Sequence, residues 1–339
     1  MAFLFILTNY FKLINLLKSM SFYNNVKDAS IYIKDHIRKT NLNYSKYFST
    51  LSSNEVYFKL ENTQITGSFK IRGAFNKLLS LSQKDKEKGI ITASTGNHGL
   101  AVAYASNKLN ISCEIYVPNV ASNIKVNKIK ELGSKVICFG EDCLEAEKKA
   151  RKDSKQKKLA FISPYNDEYV ISGQGTLAVE LIEQIEKLDI VIVSVGGGGL
   201  ISGISKYIKS TWPEIQVVGC SPENSSVMIS SMYAGKILDI ESKPTLSDGT
   251  AGGVEFGSIT FPICCEYIDQ TILVNEDEIK KAMRLYYNNE NQIIEGAAGV
   301  AIASFLKIKN HFSGKKIGII LCGGNIDQKQ FFSLINGDI

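Results

Sequence analysis

From Gly89 onward the chain alternates short, continuous apolar runs with longer amphipathic stretches. Gly89-Ile-Ile-Thr-Ala, Ser112-Cys-Glu-Ile-Tyr-Val and Lys135-Val-Ile-Cys-Phe read as strands. Helical patterns follow them over Asn97 to Lys108, Ser122 to about Leu132 and Glu141 to about Lys157, and Leu159-Ala-Phe-Ile closes the series. Asp189-Ile-Val-Ile-Val-Ser-Val has no polar alternation, the mark of a strand covered on both faces. Helical patterns at Gly173 to Lys187 and Leu200 to Ser210 flank it. Gln216-Val-Val-Gly-Cys and Lys316-Ile-Gly-Ile-Ile-Leu are further strands, and Glu278 to Asn289 a helix. This pattern predicts an α/β protein with mostly parallel sheets covered by helices, and ligands beyond the carboxyl ends of the strands.

Three loops fall at such strand ends. Thr92-Ala-Ser-Thr-Gly-Asn-His-Gly opens a helix, so its backbone N–H groups are free to hold an anion. N-capping alone accounts for Thr95 or Asn97 but not for so many small residues together. Gly196-Gly197-Gly198-Gly199 follows a buried strand and precedes an apolar helix, where glycines let the backbone wrap around a phosphate. The dinucleotide pattern G-x-G-x-x-G fails here, because its third glycine falls on Ser202 or Ile201. A monophosphate is the better occupant. The third loop is Cys322-Gly-Gly-Asn325, and a cysteine ending a buried strand is usually structural. Outside these loops, Lys70 in Ser68-Phe-Lys-Ile-Arg-Gly-Ala lies between residues that could keep an amine out of water, the setting of imine-forming lysines.

Bulk properties narrow the classes. At 339 residues the chain can form two lobes, and 44% hydrophobic with 22% charged residues is ordinary for a globular protein. A net charge of +5, with its lysines dispersed, gives no basic stripe for nucleic acid. Seven cysteines without a C-x-x-C spacing suggest neither a disulfide framework nor a zinc site, and fit a reducing compartment such as the cytoplasm. Only His36, His98 and His311 are available to a His-based metal centre. Residues 1–20 are apolar with Lys12 and Lys18 as their charges. They suit neither a secretory signal nor a membrane span. They read as a dispensable extension, with a weak organelle presequence as the alternative.

The ordered set S-x-K-x-R-G-A, S-x-G-N-H-G, a glycine-rich loop and C-G-G-N resembles the pyridoxal-phosphate enzymes of the tryptophan-synthase β fold (fold type II). Within them it is most similar to the threonine/serine dehydratases and serine racemases. The similarity runs from about Val26 to Asn325 and includes Gly173-Gln-Gly-Thr176 and Glu295-Gly-Ala-Ala-Gly299. The resemblance implies pyridoxal 5'-phosphate as cofactor, bound covalently through Lys70, which then removes the substrate Cα proton. It places Gly196, Gly197, Gly198 and Gly199 on the cofactor phosphate, Asn97 on its 3-oxygen and Cys322 beside its pyridine nitrogen. Ser94 and the backbone of Thr95 to His98 receive the substrate carboxylate. Glu295 and Asp248-Gly249 line the cavity without an assigned step.

The implied reaction is conversion of L-threonine or L-serine to a 2-oxo acid and ammonia by β-elimination. The implied architecture has a small mobile domain, 89–166, inserted in a large cofactor domain, 21–88 with 167–339, and a homodimer as assembly. Fourteen residues follow Asn325, too few for the regulatory domain of biosynthetic threonine dehydratases. Serine racemase with side dehydratase activity is the alternative. Against it, Thr95 stands where racemases of the family carry a catalytic serine. Ser221 and Val227 stand where they carry two metal-binding carboxylates, so no metal is expected. A non-catalytic cofactor-binding protein is a third class, and the presence of Lys70 argues against it.

Overall fold

In the computed structural model, which describes residues 21–337, ten strands form two sheets. They are β1 (Leu42–Tyr44), β2 (Glu55–Lys59), β3 (Ile90–Ala93), β4 (Cys113–Val117), β5 (Lys135–Cys138), β6 (Ala160–Phe161), β7 (Ile190–Ser194), β8 (Gln216–Pro222), β9 (Gln270–Val274) and β10 (Lys316–Ile320). The larger sheet has the order β1-β2-β10-β7-β8-β9 and is parallel except for β1 on β2. The smaller, β5-β4-β3-β6, is parallel throughout. The expected α/β class of helix-covered parallel sheets is therefore met. The readings made for residues 1–20 lie outside the described residues.

Most element boundaries follow the apolar periodicity; the helix Asn97–Lys108 matches at both ends. The helix expected from Gly173 starts earlier, at Glu168, because the Asp167 side chain caps it by accepting from the N–H groups of Tyr169 and Val170. Gly173 and Gly175 look like helix breakers but lie inside this helix. A Cβ on Gly173 would come within 2.7 Å of the Arg72 carbonyl, so the glycine is what lets the helix Lys70–Ser80 cross so closely.

The core divides with the sheets. Val191, Ile192 and Val193 of β7 are wholly buried beneath the helices Gly199–Thr211 and Gly296–Ile308. Each such side chain contributes about 1.5–3 kcal/mol on burial. The smaller sheet lies within 89–166, yet its core also takes Ile33, Ile71, Ala74, Phe75 and Leu78 from outside that range. Four of these belong to the helix that starts with Lys70, so that helix forms the joint between the two layers.

Candidate active site

Lys70 is the first residue of its helix, and the turn before it is tied to the end of β10. Ser68 bridges Gly323, Phe69 N–H donates to the Cys322 carbonyl at 3.1 Å, and Gly324 N–H donates to the Gly67 carbonyl at 2.9 Å. Two segments some 250 residues apart in sequence, S-x-K and C-G-G-N, thus form one wall. The Lys70 amine donates to the Pro164 carbonyl at 2.9 Å. Burial lowers its pKa to about 8, against a partial upward pull from Cys322 and Glu295.

The facing walls are the glycine loop and the segment Tyr165. Gly198 adopts a left-handed φ of 83° and caps the helix Gly199–Thr211, whose first N–H groups point at the loop. A Cβ on Gly196 would meet the Thr250 carbonyl at 2.7 Å, and one on Gly197 the Tyr165 ring at 2.4 Å. Only bare backbone fits this cradle. Phe69, Lys70, Asn97, Tyr165, Gly196 to Gly199, Glu295 and Cys322 line one cavity with about 490 Å³ of empty volume, its open mouth included. Convergence of a buried amine and a glycine cradle at strand ends suits a phosphorylated aldehyde.

Cys322 is buried, and that burial holds its thiol well above the ordinary range, so it is neutral. Asn97 lines the cavity, donating to both oxygens of Glu295 at 2.8 and 3.0 Å. Ser94 accepts from Gly96 N–H at 3.1 Å and shapes the turn before the helix. Thr95 is half-buried in that turn. The His98 ring points away, between the Thr92 hydroxyl and the Ile162 carbonyl at 3.0 Å each. Burial and Lys70 depress its pKa to about 3, so the ring is neutral. Gly249 lines the cavity, whereas Asp248 is exposed and pairs with Lys125 at 3.2 Å. The Ser221 hydroxyl donates to the Val195 carbonyl at 2.6 Å and Val227 is buried, so neither position offers a carboxylate.

Tyr165 was not singled out in the sequence. Its ring covers Gly197 and its hydroxyl accepts from Glu255 N–H at 2.9 Å. The Glu255 carboxylate in turn pairs with Arg151 of the helix Cys143–Lys157. The short aromatic-polar run Pro164-Tyr-Asn after β6 was its only local signal. Its role depends on chain that lies 32 and 90 residues later being brought alongside.

The family described as pyridoxal-phosphate dependent enzyme matches residues 33–323. The L-threonine ammonia-lyase of Thermotoga maritima is 40% identical over 312 residues, 92% of this chain and 77% of that protein. The serine racemase of Dictyostelium discoideum is 39% identical over 316 residues, 92% of this chain and 97% of that one. Among solved structures, the processed form of threonine deaminase isoform 2 from Solanum lycopersicum superimposes with a TM-score of 0.90 at 30% identity, covering 94% of this chain and 93% of that one.

Proposed function

This chain belongs to the pyridoxal-phosphate-dependent enzyme family, and we propose that it dehydrates L-threonine or L-serine to a 2-oxo acid and ammonia. The observation that carries this reading is the placement of the Lys70 amine, with its pKa near 8, opposite the bare glycine cradle. The cofactor, when bound, supplies an aldehyde for the amine and an electron sink for the charge left at Cα.

The chain's own residues do the rest. Lys70 would hold the cofactor and take the Cα proton, a task its lowered pKa suits near neutral pH. The N–H groups of Gly196 to Gly199 would hold the phosphate, and Asn97 would face the cofactor's 3-oxygen. Neutral Cys322, which lines the cavity, would lie beside the cofactor's pyridine nitrogen and would not stabilise a proton there. Ser94 and the backbone N–H groups of Thr95 to His98 hold the substrate carboxylate at the helix N-terminus. Lys125–Asp248 and Arg151–Glu255 join the layer 89–166 to the loop over the cavity, so closure of that layer keeps water out. A homodimer in the cytoplasm completes the reading; among the described residues no helix is long and apolar enough to cross a membrane.

Serine racemisation is a second reading, favoured by the Dictyostelium relative and opposed by Thr95, whose β-branch restricts its hydroxyl. The test is the purified enzyme on L-serine and L-threonine, with 2-oxo acid and the enantiomer of residual substrate measured together. It is run once with chelator and once with magnesium. Oxo acid formed faster than D-serine, with equal rates in both buffers, supports the dehydratase. D-serine outpacing pyruvate, or activity that only magnesium restores, reverses the order.

A further inference from the structure

We infer that Glu295, together with Asn325, sets which way round the Asn97 amide faces, and so makes Asn97 a hydrogen-bond donor rather than an acceptor toward the bound cofactor. This rests on the reading of the cavity as the pyridoxal-phosphate site.

Glu295 occupies the N-cap position of the helix Gly296–Ile308, yet its carboxylate makes no capping bond to that helix. It reaches across to Asn97 instead, accepting from Nδ2 at 2.8 and 3.0 Å, and accepts the Asn325 N–H at 3.1 Å. Room for this is built in. A Cβ on Gly323 would lie 2.4 Å from Glu295 Oε1, and one on Gly249 would lie 3.4 Å from it.

The orientation of each amide follows from its partners. The Thr66 carbonyl can only accept, so the Asn325 group that meets it at 2.8 Å is Nδ2. That same nitrogen donates to Asn97 Oδ1 at 2.7 Å. Asn97 Nδ2 must therefore face Glu295, and the ionised carboxylate is acceptor-only. One Nδ2 hydrogen is shared between the two carboxylate oxygens, and the second is left for the cavity. A reversed amide would set Asn97 Oδ1 against a buried carboxylate, leaving both without donors.

The carboxylate's share of this restraint holds only while Glu295 is ionised. Burial pushes its carboxyl up to about 7, with Asp248 raising it further and Asn97, Asn325 and Lys125 opposing. Lys70 and Cys322 face the same cavity. A protonated Glu295 could donate, and Asn325 alone would then hold the Asn97 amide.

Glu295→Gln keeps the shape and removes the acceptor-only share of the restraint, leaving the Asn325 contact. Apo protein is titrated with pyridoxal phosphate and with 3-deoxypyridoxal phosphate, folding being checked by circular dichroism. The variant should bind pyridoxal phosphate about tenfold more weakly, the scale of one lost hydrogen bond, and the 3-deoxy analogue as wild type does. Glu295→Asp, which keeps an acceptor-only group, should retain the preference for the 3-oxygen. In an Asn97→Ala background, Glu295→Gln should cost nothing more. Equal weakening for both ligands would mark Glu295 as merely structural and overturn the inference, as would unchanged affinity for both. Wild-type protein that binds neither ligand would overturn the cavity reading itself.

Discussion

Arg72 and Glu61 face each other as a doubly hydrogen-bonded pair, Nε to Oε2 and Nη2 to Oε1 at 2.8 Å each, with no exposed side-chain surface on either. Arg72 Nη1 donates to Glu180 at 2.7 Å and to the Thr176 hydroxyl at 3.1 Å. The other Glu180 oxygen accepts from buried Lys59 at 2.5 Å. Burial by itself would raise the Glu61 carboxyl, but Arg72 holds it below its usual value. Two cations and two anions thus balance out of water, two residues beyond Lys70, and lock the register of the helix that carries it.

Replacing Arg72 with Met should unbalance this group, leaving Glu61 without its paired cation and Glu180 with Lys59 alone. Removing one partner of a buried pair costs about 3–5 kcal/mol. Urea unfolding of the apo protein would measure it, and a loss below about 1 kcal/mol would show that solvent or a neighbour takes over the arginine's part.

Lys70 gives a pH signature. Its pKa falls from 10.5 to about 8 on folding, so between those values the unfolded chain binds the extra proton. Stability due to this group therefore rises with pH from about 8 to 10.5, and its burial is most costly below 8. Apo Lys70→Met should be more stable than wild type at pH 7, with the difference closing as pH rises. Capture of the cofactor aldehyde should likewise accelerate through a midpoint near pH 8. A midpoint near the ordinary lysine value would mean that the amine is solvated.

Gly197→Ala should displace the Tyr165 ring, which a Cβ there would approach to 2.4 Å. Loss of the cradle should weaken cofactor binding by about tenfold or more, the scale of a lost hydrogen bond to a charged group. Adding Tyr165→Ala should recover part of that loss by making room. If the double variant binds no better than Gly197→Ala alone, the clash with Tyr165 is not the cause.

What the sequence by itself determined was whatever neighbouring residues settle among themselves. The apolar runs at Ile190–Ser194 and Lys316–Ile320 and the amphipathic stretch Asn97–Lys108 announced their own structure. The glycine run and Lys70 announced chemistry, because glycine and a sequestered lysine are read from local residue type. Residues before Gly89 gave less: β1 and β2 are short, and the helix Lys70–Ser80 begins at a lysine without a capping side chain. The tertiary structure alone decided the partners. Glu61 with Arg72 and Glu180, Tyr165 over Gly197, and Glu295 with Asn97 and Asn325 join segments from distant parts of the chain. Periodicity carries no record of which charge will meet which. That is set only when the sheets close and every buried polar group must find a partner among those brought beside it.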